Sequence, residues 1–235
     1  MYGPIELPFR MELPSGDVVI KEVKGSVLYT RTTPKKQIHK RIVLKGGELS
    51  LQPVEPINTP KFVTPNLMLE FKRTLVMPPR ESRKIYLRFP IEMAVIAKNG
   101  KQNRIIDIFT RNTPKYTLYG DVRTGSICRY YQTVVSMKPP RTDIAFEGDV
   151  EVLIRNQTNA WAEVGKLVFL GTLMKIYYSD DLVSMKAQAR ILDDDTAETK
   201  FLDQPVRKEQ KKAYETLTTK NLKVMAQRFV MEGGY

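Results

Sequence analysis

The chain has 235 residues, 42% hydrophobic and 27% charged, which is enough apolar material for a sizeable core and excludes wholesale disorder. A single cysteine (Cys128) and a single histidine (His39) exclude an intrachain disulfide framework, a CxxC zinc site, a zinc site of several histidines and an HExxH helix. The net charge of +12 is unevenly spread: residues 1–141 hold 25 Lys and Arg against 11 Asp and Glu, residues 142–204 hold 6 against 12, and residues 205–235 hold 7 against 3. Such asymmetry is an argument about partners rather than fold: the basic part suits nucleic acid or an anionic membrane surface, and equally the acidic part of the same chain or of a second copy.

Taken in chain order, the sequence reads as strands. Short runs alternate apolar and polar residues, are rich in Val, Ile, Tyr and Thr, and are bounded by Gly, Pro, Asn or Asp. Asp17–Val23, Gly25–Arg31, Ile38–Lys45 and Glu48–Val54 come first. Pro53, Pro56, Pro60 and Pro65 then rule out a central strand over 53–65, because proline donates no ladder hydrogen bond. Leu67–Met77 and Lys84–Ala97 follow, and Asn99-Gly100 is a favoured hairpin step. Arg104–Thr110, Lys115–Tyr119, Ser126–Met137, Asp149–Arg155, Val164–Tyr178 and Leu182–Leu192 complete the series.

Turn signals every 8–15 residues without long helical patterns predict an all-β protein, antiparallel, built as two immunoglobulin-like sandwich domains. The expected division is a basic N-terminal sandwich over 1–110, a second sandwich over 111–204 with an acidic C-terminal half, and a basic extension over 205–235. Met-x-Pro-Pro-Arg (or Met-Pro-Pro-Arg) occurs at 77–80 and again at 137–141, each time before an alternating strand, a weak internal repeat. In the extension, Val206–Leu217 is rich in helix formers and reads as a short helix, followed by an extended segment.

The segment Thr113–Thr133, TPKYTLYGDVRTGSICRYYQT, concentrates tyrosines, turn glycines and Cys128. Asp121 has no histidine or second carboxylate near it in sequence, so the segment reads as a β-hairpin rather than an active-site loop. Alternation puts Ile127, Arg129 and Tyr131 on one face and Cys128, Tyr130 and Gln132 on the other, with Cys128 buried and inert. An exposed face carrying Arg123, Arg129 and tyrosines would suit a single-stranded nucleic acid, which is stacked upon and neutralised at once.

Together with the proline-rich stretch at 53–65 and RNQTNAWAEVGKLVF at 155–169, this hairpin resembles an archaeal domain family of unknown function, over most of residues 1–204. The resemblance implies an archaeal origin and no assigned activity. It carries no functional residue over.

Thr30–Gly47 holds Arg31, Lys35, Lys36, Lys40, Arg41 and Lys45 without an acid, and further cations cluster at 80–88 and 98–115. Neutralising several phosphates there would give salt-dependent, sequence-independent binding. The acids Asp180-Asp181, Asp193-Asp194-Asp195 and Glu198 do not have the EF-hand spacing and read as solvated turns. His39 reads as a strand-surface residue and Trp161 as a core anchor. Phosphate-binding GxxxxGK[ST], GxGxxG and the GxSxG elbow are absent from the sequence.

The expectation is therefore a non-enzymatic binding or assembly module with no cofactor, no metal and no catalytic residue. Its anion-binding candidates are Arg31, Lys35, Lys36, Lys40, Arg41, Arg83, Arg104, Arg111, Arg123, Arg129, Tyr119 and Tyr131. The partner is an anionic macromolecule, with RNA or a ribosome as the specific alternative. A membrane surface or membrane protein, a homo-oligomer formed through sheet edges, and a hydrolase using clustered carboxylates are the other readings. The absence of a basic-then-apolar leader reads as a cytoplasmic location.

Overall fold

The computed structural model describes residues 1–14, 16–44, 46–61, 63–100, 102–216 and 228–235. Nineteen strands occur among them. In chain order they are β1 (Gly3–Pro4), β2 (Phe9–Leu13), β3 (Gly16–Val23), β4 (Ser26–Thr32), β5 (Gln37–Ile42), β6 (Glu48–Val54), β7 (Asn66–Met77), β8 (Ser82–Pro90), β9 (Glu92–Asn99) and β10 (Gln102–Phe109). Then come β11 (Tyr116–Tyr119), β12 (Ser126–Thr133), β13 (Glu147–Asn156), β14 (Ala162–Leu170), β15 (Tyr177–Tyr178), β16 (Val183–Ile191), β17 (Ala197–Leu202), β18 (Lys211–Lys212) and β19 (Phe229–Met231). The protein is all-β; one 3-10 turn at Gly171–Leu173 is the sole helical element described. No described helix is long and apolar enough to cross a membrane.

The chain divides into two compact units, and neither is continuous. The first comprises 1–52 and 93–111; the second comprises 53–92 and 112–235. Residues 53–92, which a division into 1–110 and 111–204 would keep with the N-terminal part, belong to the second unit. The proline-rich segment is where the chain first leaves one unit for the other.

In the first unit a meander orders β2-β3-β4-β5, and a second sheet orders β1-β6-β9-β10. Val18 and Ile20 of β3, Tyr29 of β4, Leu51 of β6 and Val95 of β9 are buried. On β3 the buried Val18 and Ile20 share one face, as period-two patterning requires, whereas β6 and β9 are buried on both faces along most of their length. The ladder between β9 and β10 slips between Ile105 and Asp107, a bulge that re-aims Asp107.

In the second unit one sheet orders β11-β12-β7-β14 and the other β18-β15-β16-β13-β8, with β17 and β19 added alongside β16. Pairing is mostly antiparallel, but β12 runs parallel to β7 and β13 runs parallel to β16. Parallel neighbours need long connections, and the chain between β7 and β12 includes all of β9 and β10. Ile85, Leu87 and Phe89 alternate inward on β8, and Val150, Val152 and Ile154 do so on β13. Phe169 of β14 stacks on Phe201 of β17 at 4.9 Å between ring centroids, joining the two layers of a sandwich-like core.

The helix expected over 206–217 does not form in its described part, 206–216. Residues 207–209 turn, and Lys211–Lys212 pair with Tyr177–Tyr178 as β18. Tertiary hydrogen bonds override helix propensity here. The buried Gln210 carbonyl oxygen accepts from the Ser184 hydroxyl at 2.9 Å and from the Arg207 backbone N–H at 3.0 Å. The extended segment expected after residue 218 falls mostly outside the described residues; its described end, Phe229–Met231, is a strand paired with β17.

Candidate functional site

The structure sorts the cations of the first unit into those it uses and those it leaves to solvent. Arg31 is used: its Nε donates to Asp107 Oδ2 at 2.6 Å and its Nη2 to Oδ1 at 3.2 Å. The Tyr29 hydroxyl donates to the same carboxylate at 2.6 Å, and burial with this bond pushes the phenol pKa up. Lys40 donates its ammonium to the carbonyl of Ile106. Lys35, Lys36, Arg41 and Arg104 are exposed, and Arg111 is half-buried. Lys45 lies outside the described residues.

In the second unit the hairpin candidates Tyr119 and Tyr131 are engaged in hydrogen bonds within the protein. Tyr119 is buried; its hydroxyl donates to the carbonyl of Gly234 and accepts from the N–H of Gly233, both at 3.0 Å. Tyr131 is half-buried and donates to the Glu147 carboxylate. Arg129, expected on an exposed face with Ile127, is 2% exposed. The two residues do share a face, but that face turns inward from the hairpin edge to the core, so Ile127 is exposed and Arg129 is not. Arg129 lies 5.7 Å from the Tyr116 ring centroid, and its charge favours the ionised form of buried Glu92. Burial still pushes Glu92 up to about 7. Cys128 is buried, and desolvation pushes its thiol up to about 12, an inert state. Arg123 and Arg83 are exposed.

A turn with an exposed aromatic ring, joined by hydrogen bonds to a turn that carries an arginine, lies at one end of the second unit. Trp161, expected in the core, is 67% exposed. It sits in the turn between β13 and β14, hydrogen-bonded to the turn between β7 and β8. Asn156, 2% exposed, holds both turns. Its amide nitrogen lies within hydrogen-bonding distance of the carbonyls of Ala160 (2.8 Å), Pro78 (3.0 Å) and Met77 (3.3 Å). Its carbonyl oxygen accepts from the N–H and hydroxyl of Thr158 at 3.0 and 2.9 Å, and its backbone N–H reaches Glu81.

Across from Trp161, Arg80 adopts a left-handed backbone with φ of 60°, a conformation non-glycine residues seldom take. Its N–H donates to Thr158 at 3.2 Å and its Nε to the Asn159 side chain at 2.9 Å, which locks the two turns together. Arg83 follows at the start of β8, Arg155 pairs in register with Ser82, and both are exposed. Val76, in register with Glu163 and 51% exposed, adds apolar surface near the indole. Arg80, Arg83 and Arg155 form no ion pair with a described residue; nearby Glu81 and Glu163 are exposed. The acidic turn at 193–195 bounds the patch on one side, because the Gln157 N–H donates to Ile191 at the end of β16.

Comparison with known proteins gives one relationship. The chain belongs to the DUF432 family, described as a protein of unknown function. The family profile matches residues 1–232, so the extension from 205 falls within the family's own span. No curated protein and no solved structure matches this DUF432 chain.

The acidic residues of the DUF432 protein have local uses. Asp193 caps its own turn by accepting from the N–H groups of Asp195 and Thr196, Asp181 pairs with Arg207, and Glu198 pairs with Arg190 and Arg228. Among the described residues no three of His, Cys, Asp and Glu converge as a metal-ion site. Asp149, 4% exposed on β13, is different: neither of its oxygens makes a well-formed hydrogen bond. Desolvation pushes it from 3.8 to about 6, opposed by Thr142 and Arg88.

The folded state therefore binds this proton more tightly than the unfolded chain does. Its contribution to stability is lost as pH rises from 3.8 through about 6, and the loss is complete above that. Asp149→Asn is expected to raise the unfolding free energy at neutral pH by about 1–2 kcal/mol. The gain should vanish below pH 3.8 in urea melts run across pH. An equal gain at every pH would mean that the charge is not its cause.

Proposed function

We propose that this DUF432 protein is a non-enzymatic binding module that docks on single-stranded or looped RNA through the basic end of its second unit. One observation carries the reading: Trp161, the chain's sole tryptophan, is 67% exposed on a turn hydrogen-bonded to the turn that carries Arg80, at the end of the unit where Arg83 and Arg155 are also exposed. An indole face stacks on any base, at about 1–3 kcal/mol per base, while nearby guanidinium groups neutralise phosphates. The turn around the indole is polar, with Gln157 and Asn159 exposed. That composition suits base edges and phosphates better than lipid chains, and it favours RNA over a membrane surface. A cytoplasmic location goes with this reading.

The sole tryptophan makes the test direct. Its emission in the free protein is expected to be red-shifted, as for a solvated indole. A mixed-sequence single-stranded RNA should quench it, and affinity should fall steeply between low and near-physiological salt. Trp161→Ala should weaken binding about 10-fold, measured by fluorescence anisotropy of labelled RNA. Arg83→Glu with Arg155→Glu should flatten the salt dependence. Vesicles of phosphatidylglycerol provide the competing arm. A blue shift on vesicles with no response to RNA would replace the RNA reading with a membrane one, and silence toward both would end it.

A further inference from the structure

A cavity of about 430 Å³ opens on the outward face of the β11-β12-β7-β14 sheet, lined by Met68, Glu70, Thr117, Tyr119, Lys166 and Gly233, with Asp121 at its rim. This volume is within the range of small-molecule sites. Two of its charges behave unusually. Lys166 of β14 is the direct cross-strand partner of Glu70 of β7. Opposite charges so placed ordinarily form an ion pair. These two do not: Glu70 accepts from the Tyr130 hydroxyl, and the Lys166 ammonium stands 5.7 Å from the centroid of the Tyr119 ring. The Tyr130 phenol is pushed up to about 12, chiefly by that hydrogen bond. The pair is splayed, each member is half-buried, and both line the cavity.

We infer that this cavity binds a small zwitterion of the amino acid type, its ammonium against Glu70 and its carboxylate against Lys166. The arrangement selects for both charges at once. A simple anion would meet Glu70 and Asp121, and a simple cation would meet Lys166. One wall of the cavity is the C-terminal segment. Gly233 belongs to the C-terminal segment, which is fastened by Tyr119 through Gly233 and Gly234 and by the Met231 sulfur, which accepts from the Val168 N–H at 3.4 Å. A ligand in the cavity fastens that segment further.

The experiment is titration calorimetry on the full chain with β-alanine and γ-aminobutyrate as probes, and with propionate and propylamine as single-charge controls. At least one zwitterion should bind saturably at millimolar concentration or below, and both controls should bind at least about 10-fold more weakly. Lys166→Gln and Glu70→Gln should each cost about the same factor. Melting curves of both variants guard against a folding defect, and hydrogen exchange at 229–235 should slow with the binding zwitterion. Absence of saturable binding by either zwitterion overturns the inference. So does equal binding of a control, or binding that survives both substitutions in folded protein. None of these outcomes bears on RNA binding at Trp161.

Discussion

Asn156→Ala is expected to cost about 3 kcal/mol of stability and to weaken RNA binding beyond the loss of stability. The buried amide joins the carbonyls of Met77, Pro78 and Ala160 to the N–H and hydroxyl of Thr158. Truncation leaves several of these groups without that partner, at about 1–3 kcal/mol for each one that stays dry. Water reaching the turns reduces the total, hence the figure. Asn156→Asp is no rescue, because a carboxylate would face three carbonyl oxygens. Chemical denaturation gives the stability change. The exposure of Trp161, read by acrylamide quenching of the native state, gives the functional one. If Asn156→Ala leaves quenching and RNA affinity unchanged, the turns are rigid without it, and preorganisation of Trp161 is not what the residue supplies.

A loss of similar size is expected at Asp107 in the first unit. Asp107→Ala removes the one carboxylate that both Arg31 and Tyr29 use, and Arg31 and Asp107 side chains are 17% and 11% exposed. Breaking a largely buried pair from one side typically costs about 3–5 kcal/mol, because the remaining charge stays desolvated. Water at the partly exposed rim brings the expected value to about 3 kcal/mol. Replacing Arg31 and Tyr29 together with apolar residues alongside Asp107→Ala should recover much of it. Hydrogen exchange is the measurement of choice, because the loss should appear in β3, β4 and β10 and not in β13 or β16. A uniform loss across both units would show that they unfold as one.

The all-β architecture was legible in the sequence for a simple reason. Alternation reports which face of a strand is wet, and that is a local property of Ile85, Leu87 and Phe89, or of Val150, Val152 and Ile154. The same logic foresaw a buried, inert Cys128, but not that the chain leaves the first unit after residue 52, since the expected first domain ran unbroken over 1–110. What alternation cannot report is which of two faces the core takes at a sheet edge. Ile127 and Arg129 were correctly placed on one side, yet a position one pair further from the edge is enough to bury Arg129.

The candidate site failed to show for a different reason. Trp161 looks like a core residue by type, and only its setting between Asn159-Ala160 and Ala162 hinted at a turn. The readable signal was Asn156-x-Thr158, a pattern that hydrogen-bonds its own backbone and marks a built turn. Its partners, Arg80 and Arg83, are some 80 residues away. Arg31 and Lys40 looked free for a ligand because nothing in their own stretch is acidic; Asp107 and the Ile106 carbonyl reach them from 66 or more residues on. Composition and local pattern thus determined the fold class, the excess of positive charge and the scarcity of histidine and cysteine. Which cations are spent inside the protein, and which stand beside an exposed indole, was decided by long-range pairing, because a charge is neutralised by whatever the fold brings near it.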